Sequence, residues 1–460
     1  MIDERQGGLR QEIFANDRRH VWHALAPHQD GQPWVVESAQ GVRVTDMDGN
    51  EYLDAMSGLW CVNAGYGQER LARAAYDQMV RMPYYPLSAS HIPAAQLAGR
   101  LNEWLGGEYR LFFGNGGSEA NETAFKIARQ YHVQSGQPLR HKVISRYRAY
   151  HGATAAALAA TGQNQRKYAY EPLPQGFLHI QPPDLYRGRG DLDEQAYAGQ
   201  CADELERVIL WEGVETVSAF IMEPIITGGG VLMPPAGYLD RVAAVCRRHG
   251  VLLIVDEVIC GFGRTGKRFG FQHNDVLPDI VTMAKGITSG YAPLSATAVR
   301  AELYGAFTDA ADPQAHFRHV NTFGGHPVSC AVALENLDLF EEQELVSRAA
   351  EYGELLQREL QSLYEYDIVG DVRGRGLLAG VEFVADRADK RPLSADAVRA
   401  VIGRCKARGL IVGRNGDTVA DLNNVLAIAP PLVIGERDIR WIAQVLHDSI
   451  GEHVQEAARG

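Results

Sequence analysis

Four short runs between residues 141 and 285 are apolar at consecutive positions instead of alternating: HKVIS (141–145), VSAFIMEP (217–224), VLLIVDEV (251–258) and DIVTMAK (279–285). A strand with one face in water alternates. A run apolar on both sides belongs to a sheet covered on both faces, the usual condition of a parallel sheet. Helix-like stretches separate such runs from about Leu71 to Leu339, so the pattern predicts an α/β unit with a buried, mainly parallel sheet. Upstream, GVRVTDMDGNEYLDA (41–55) holds two β-like runs around Asp48-Gly49, a hairpin signal. Downstream, residues 341–363 read as one helix, 376–384 as a strand, 395–408 as a helix and 425–434 as a strand, which together predict a smaller α+β unit. The division expected is 1–70 as an N-terminal segment contributing to the small domain, 71–339 as the large domain and 340–460 as the C-terminal small domain.

The chain has 460 residues, long for one compact core, which agrees with a large and a small domain. Apolar residues make up 46% and charged residues 22%, an ordinary globular balance. A net charge of −12, with no basic block, argues against nucleic acid as a partner. The six cysteines are scattered with no Cys-x-x-Cys, so they read as reduced thiols, not a disulfide frame or a metal site. The first ten residues, MIDERQGGLR, lack an apolar signal core, and no run of about eighteen apolar residues occurs to span a membrane. The expected location is the cytoplasm. Only seven of the 45 basic residues are lysine, which shortens the search for a lysine that does chemistry.

Asp256 closes the apolar run 251–258 at what would be the carboxyl edge of the sheet, where open α/β sheets bind ligands. It could cap a neighbouring loop, or face a cationic ring nitrogen. Lys285 follows the next apolar run and precedes Gly286, Ser289, Gly290 and Pro293. A lysine there is either solvated or desolvated enough to attack an aldehyde. In LFFGNGGSEANETAFKIAR, Leu111–Phe113 leads into Gly114, Gly116, Gly117 and Ser118, then a helical run from Glu119. Such a turn either merely starts a helix or offers its amides and dipole to a phosphate. It matches neither nucleotide-loop fingerprint. Tyr150 and His151, before Gly152, sit just past the run 141–145, and an aromatic at a sheet edge either packs in the core or stacks on a flat ring. Jointly these four elements hold a phosphate, a ring face, a ring nitrogen and an aldehyde, the set of groups pyridoxal phosphate needs.

The order GGSEANETA, YHG, MEPI, VDEVICGFGRTG, AKGITSGYAPLSA and NTFGGHPVSC resembles the class III (ω-) aminotransferases of pyridoxal-phosphate fold type I, over about residues 46–431. The resemblance implies a large domain with a mainly parallel, seven-stranded-type sheet between helices, and a smaller α+β domain built from both chain ends. It implies a homodimer or a tetramer with sites at the interface, an amine donor, a 2-oxo acid acceptor, and a cofactor that cycles with pyridoxamine phosphate. Lys285 would be the lysine joined to the cofactor aldehyde, with Asp256 at the ring nitrogen, and these two are the catalytic residues it implies. Tyr150 and Val258 would cover the ring faces, with His151 beside them. Gly117 and Ser118 would donate to the phosphate, and Thr322 would reach it from the partner subunit. Glu223, in MEPI, would lie near the substrate. Ornithine- and γ-aminobutyrate-type relatives carry glutamine where this chain has Ile259, which turns the reading away from those donors. Leu59 and Trp60 match a wall of the amine:pyruvate and β-alanine- or taurine:pyruvate branch. Arg414 matches its mobile carboxylate-binding arginine, which would swing away or pair with another acid when the donor lacks one. Ser88 replaces an aromatic residue found in relatives that take aryl amines, and Tyr168 and Phe323 complete the expected substrate pocket. The implied reaction is ping-pong transfer from β-alanine, taurine, a diamine or an alkyl amine to pyruvate or a similar 2-oxo acid. Decarboxylating transaminases and aminomutases of the same fold share Lys285 and Asp256 and are the alternative. No metal is implied.

Overall fold

A computed structural model describes residues 2–24, 33–308, 312–416 and 418–459. Near the N-terminus, β1 (Val36–Gln40), β2 (Arg43–Asp46) and β3 (Glu51–Asp54) form an antiparallel meander. The expected hairpin is β2–β3. Its turn places Gly49 at φ 78°, and the Asp46 carboxylate accepts the amides of Asp48 and Asn50, the local bonding that makes Asp a turn residue.

Seven strands follow: β4 (Tyr109–Gly114), β5 (Lys142–Arg146), β6 (Phe177–Ile180), β7 (Val217–Met222), β8 (Leu252–Asp256), β9 (Ile280–Met283) and β10 (Ser295–Arg300). They make one sheet in the order β4-β10-β9-β8-β7-β5-β6. The pairs from β9 to β6 are parallel, and β10 runs antiparallel to both its neighbours. All residues of β7, β8 and β9 are buried, which is why the sequence there is apolar on both faces. The helix Gly117–Gln134 covers one face with Ala120, Ala124, Ile127 and Ala128, the three-to-four spacing of a helix stripe. The helix Tyr238–His249 sends Leu239, Val242, Ala243 and Cys246 into the main core.

A third sheet holds β11 (Val369–Gly374), β12 (Ala379–Asp386) with the short β13 (Arg391–Pro392) beside it, then β15 (Gly413–Arg414) and β16 (Val425–Ile428). Between them in the chain, β14 (Leu410–Ile411) pairs parallel with β3, joining the C-terminal part to the N-terminal meander.

Two sequence expectations need correction. The stretch 341–363 is not one helix: Pro327–Glu342 and Leu345–Leu360 are separate, followed by a 3₁₀ turn at Gln361–Glu365. The break falls at Glu344, whose φ of 50° is left-handed and cannot continue an α-helix. The β8–β9 connection also lacks the expected crossover helix; it holds one short 3₁₀ turn, Gly270–His273. Its amides at Gly270 and Phe271 are taken by the buried Glu257 carboxylate, at 2.9 and 2.7 Å.

Candidate active site

Parallel pairing sets β8 and β9 side by side, with Asp256 opposite Thr282. Asp256 therefore ends β8 at the carboxyl edge of the sheet, and Lys285 leaves β9 at that same edge three residues beyond Thr282. Lys285 has φ 48°, a left-handed conformation that costs a non-glycine residue about 1 kcal/mol or more and marks a backbone held by its surroundings. The next residue shows how tightly. A Cβ at Gly286 would stand 2.6 Å from Asn63 Nδ2 and 2.8 Å from Phe262 Cβ.

The Asp256 carboxylate is almost fully buried and has three donors. Oδ2 accepts from His151 Nδ1 at 2.9 Å and Asn121 Nδ2 at 2.8 Å, and Oδ1 accepts the Val258 amide at 3.1 Å. A carboxylate only accepts, so His151 Nδ1 carries the proton in this contact. Asn121 is fixed in turn: it donates to the His151 carbonyl at 2.6 Å, and its Oδ1 accepts from Thr282 Oγ1 at 2.8 Å. His151 has no exposed side-chain surface and stands behind Asp256. Burial pushes the Lys285 ammonium below its ordinary range, and the negative charge of Asp256 opposes that shift.

The glycine-rich turn lies beside this pair. Gly116 is the N-cap of the helix Gly117–Gln134, and no side chain caps it, which leaves first-turn amides available to an anion. The Glu119 carboxylate instead folds back to Asn115, accepting from its amide at 2.8 Å and its side chain at 3.0 Å. A Cβ at Gly117 would meet both Val258 methyl groups at 3.0 Å, so glycine is what lets Val258 approach. Ser118 Oγ accepts the Ala153 amide at 3.1 Å, just past His151 and Gly152.

Tyr150 is half-buried, and its amide donates to Glu223 Oε1 at 3.1 Å. Glu223 Oε2 accepts from the Thr227 amide at 3.1 Å and hydroxyl at 2.8 Å. Burial raises the Glu223 carboxyl above its usual range. Ile259 is buried. Trp60 packs against a buried cluster that includes Met56, Ile225 and Cys260, with its indole N–H buried and without a partner among the described residues. Leu59, Ser88, Tyr168, Thr322 and Phe323 are exposed. Among these, Tyr84 donates its hydroxyl to the Thr322 carbonyl at 2.8 Å and sets its ring against Phe323. Arg414 occupies β15, and its guanidinium lies over Gly416, where a Cβ would be 3.1 Å from Nη2.

The fold thus brings Lys285, Asp256, His151, Tyr150, Glu223, Val258, Gly117 and Ser118 together, and leaves Leu59, Ser88, Tyr168, Thr322 and Phe323 at the surface. Sequence reading missed Asn121, Thr282 and Asn63. Asn121 had a signal: it is a polar residue inside the buried stripe of its helix, flanked by Ala120 and Ala124. Among the described residues no group of histidines, cysteines and carboxylates could hold a metal ion, all six cysteines are unpaired, and no helix is long and apolar enough to cross a membrane.

The description "Aminotransferase class-III" matches residues 24–450. Over 442 residues the chain is 57% identical to an uncharacterized aminotransferase of Bacillus subtilis, covering 96% of each. It is 42% identical to a taurine–pyruvate aminotransferase of Rhodobacter capsulatus, covering 94% of this chain and 95% of that one. A crystal structure of a Bacillus anthracis aminotransferase superposes with a TM-score of 0.95 at 53% identity, covering 97% of this chain and 99% of the other. Match, fold and sheet-edge geometry agree: the chain belongs to the class-III aminotransferases, enzymes that transfer amino groups with pyridoxal phosphate.

Proposed function

We propose that this enzyme moves the amino group of a small ω-amino acid or amine to pyruvate by a ping-pong route, as a cytoplasmic homodimer with its cofactor unit in residues 71–339. The observation that carries the reading is Lys285 and Asp256 at neighbouring strand ends, the amine buried and the carboxylate held by three donors. The full-length similarity to a taurine–pyruvate aminotransferase supports pyruvate as acceptor. The exposed cluster of Tyr84, Thr322 and Phe323 supports a dimer that covers it, with Thr322 passing to the partner's site.

The residues fit the cofactor. Gly117 and Ser118 amides would hold the phosphate, Val258 and Tyr150 the two ring faces, and Asp256 the ring nitrogen. Pyridoxal phosphate, when bound, supplies an aldehyde for the donor amine and a ring that draws electron density from the donor carbon. Asp256 presents a fixed negative charge where a protonated ring nitrogen is favoured, and His151 and Asn121 are the positioning residues that aim it. Lys285 is the base for the proton on the donor carbon. Its lowered pKa keeps more of the amine neutral at moderate pH, ready to accept a proton and return it. Trp60, Leu59 and Ile259 would bound the substrate space, and Arg414 would hold the acceptor's carboxylate through parallel N–H bonds.

The test is alanine formation from pyruvate with β-alanine, taurine, a diamine or propylamine as donor. Wild type should form alanine from at least one of them, and Lys285→Ala should form none while keeping its fold by circular dichroism. Full turnover in that variant, or no alanine from any donor, would overturn the proposal.

A further inference from the structure

Arg166 stands out among the cations near the site. It lies in the 3₁₀ turn Asn164–Lys167, half-buried, with its guanidinium carbon 5.1 Å from the centre of the Tyr150 ring. Its Nε donates to Gln163 Oε1 at 2.6 Å and its Nη2 to the Gly416 carbonyl at a long 3.4 Å. Nη1 meets no acceptor, and no carboxylate pairs with Arg166 among the described residues. Arg70, Arg100, Arg148 and Arg373 all have acidic partners, whereas the Arg166 fork keeps an open donor beside the Tyr150 ring.

Its mounting is rigid. Gln163, which holds Nε, also donates to the Arg148 carbonyl at 2.8 Å, two residues before Tyr150. The Gly416 carbonyl belongs to the strand-end turn that carries Arg414. A guanidinium kept in one orientation loses little freedom when an anion arrives, and its planar fork matches an acid's oxygens.

Two guanidiniums that both approach Gly416 answer a problem of chemistry. Both substrates of a ping-pong transferase use one site in turn. A 2-oxo acid carries its carboxylate directly on the reacting carbon, whereas an ω-amino acid carries its acid further along the chain. One fixed cation cannot meet both positions.

We propose that Arg166 holds the acidic tail, carboxylate or sulfonate, of the amino donor, which makes acid-tailed ω-amines the preferred donor class. The inference rests on the amine:pyruvate reading above.

The experiment measures kcat/KM of the cofactor-loaded enzyme with taurine, β-alanine and uncharged-tail propylamine, pyruvate being saturating. Arg166→Gln should lower the ratio of acid-tailed to propylamine kcat/KM by about tenfold or more, chiefly through KM. Arg166→Lys, which keeps the charge without the fork, should recover part of that loss. A ratio within about threefold of wild type, or an equal loss for all three donors, would show that Arg166 only braces the Tyr150 turn and would overturn the inference alone. Alanine formed from none of the donors by the wild type would overturn the amine:pyruvate reading and the inference with it.

Discussion

Gly286→Ala should slow the enzyme because position 286 has no room for a methyl group. The new Cβ would stand 2.6 Å from Asn63 Nδ2 and 2.8 Å from Phe262 Cβ, where ordinary contact is about 3.5 Å or more. Asn63 cannot swing clear. Its Nδ2 donates to the Phe262 carbonyl at 2.8 Å, its Oδ1 accepts from Arg264 Nη2 at 2.8 Å, and its carbonyl accepts the Leu432 amide at 2.8 Å. Arg264 is itself fully buried and held by the carbonyls of Leu377 and Pro430. The displacement, about 1 Å, therefore passes to the backbone at residues 285–286. Overpacking of this kind costs about 1–3 kcal/mol, and an ångström of misplacement at a reacting group costs about a hundredfold in rate. The expected result is a fall in kcat of roughly tenfold to a hundredfold for any amine donor with pyruvate, and weaker cofactor uptake followed by visible absorbance. Gly403→Ala is the control: that glycine is exposed within the helix Ala395–Ala407, with nothing within 4 Å of a new Cβ. It should gain about 0.5–1 kcal/mol of stability with kcat unchanged. Wild-type kcat and an unshifted melting temperature in Gly286→Ala would refute the claim that packing around Asn63 sets the position of Lys285.

Asn121→Ala removes one of the three donors to Asp256 and strands the His151 carbonyl and the Thr282 hydroxyl. Each buried group left unpaired costs about 1–3 kcal/mol, so the variant should melt well below wild type and lose kcat; an unshifted melting curve would count against the network. Burial pushes the Glu257 carboxyl from 4.5 to about 8, so between those values the folded enzyme binds more protons than the unfolded chain. Stability from this group is then greatest at low pH and declines as pH rises to about 8. Glu257→Gln should flatten that slope in denaturant titrations run across the window, and an unchanged slope would show that Glu257 does not titrate there.

The fold was legible where burial leaves a mark on every residue. The runs ending in Asp256 and Met283 are apolar on both faces, and only a covered sheet makes that pattern economical of polar groups. The same logic exposed Asp256 and Lys285, since a charge closing such a run needs a partner. Legibility failed where the information is not periodic. Glu344 breaks a helix through its own left-handed backbone, and a glutamate carries no sign of that. Glu257 replaces a crossover helix by taking two backbone amides, yet in sequence it is one more acid beside Asp256. Asn121 carries no mark of what it holds within GGSEANETA, because its partners, Asp256 and Thr282, lie 135 and 161 residues away. Arg166 is the sharper case. What marks it is an open guanidinium donor set beside the Tyr150 ring, and neither the open donor nor its place has a sequence pattern. Residues that terminate an element can thus be read from a chain, whereas residues that aim or accompany them become visible only when the fold brings their partners, or their lack of partners, into view.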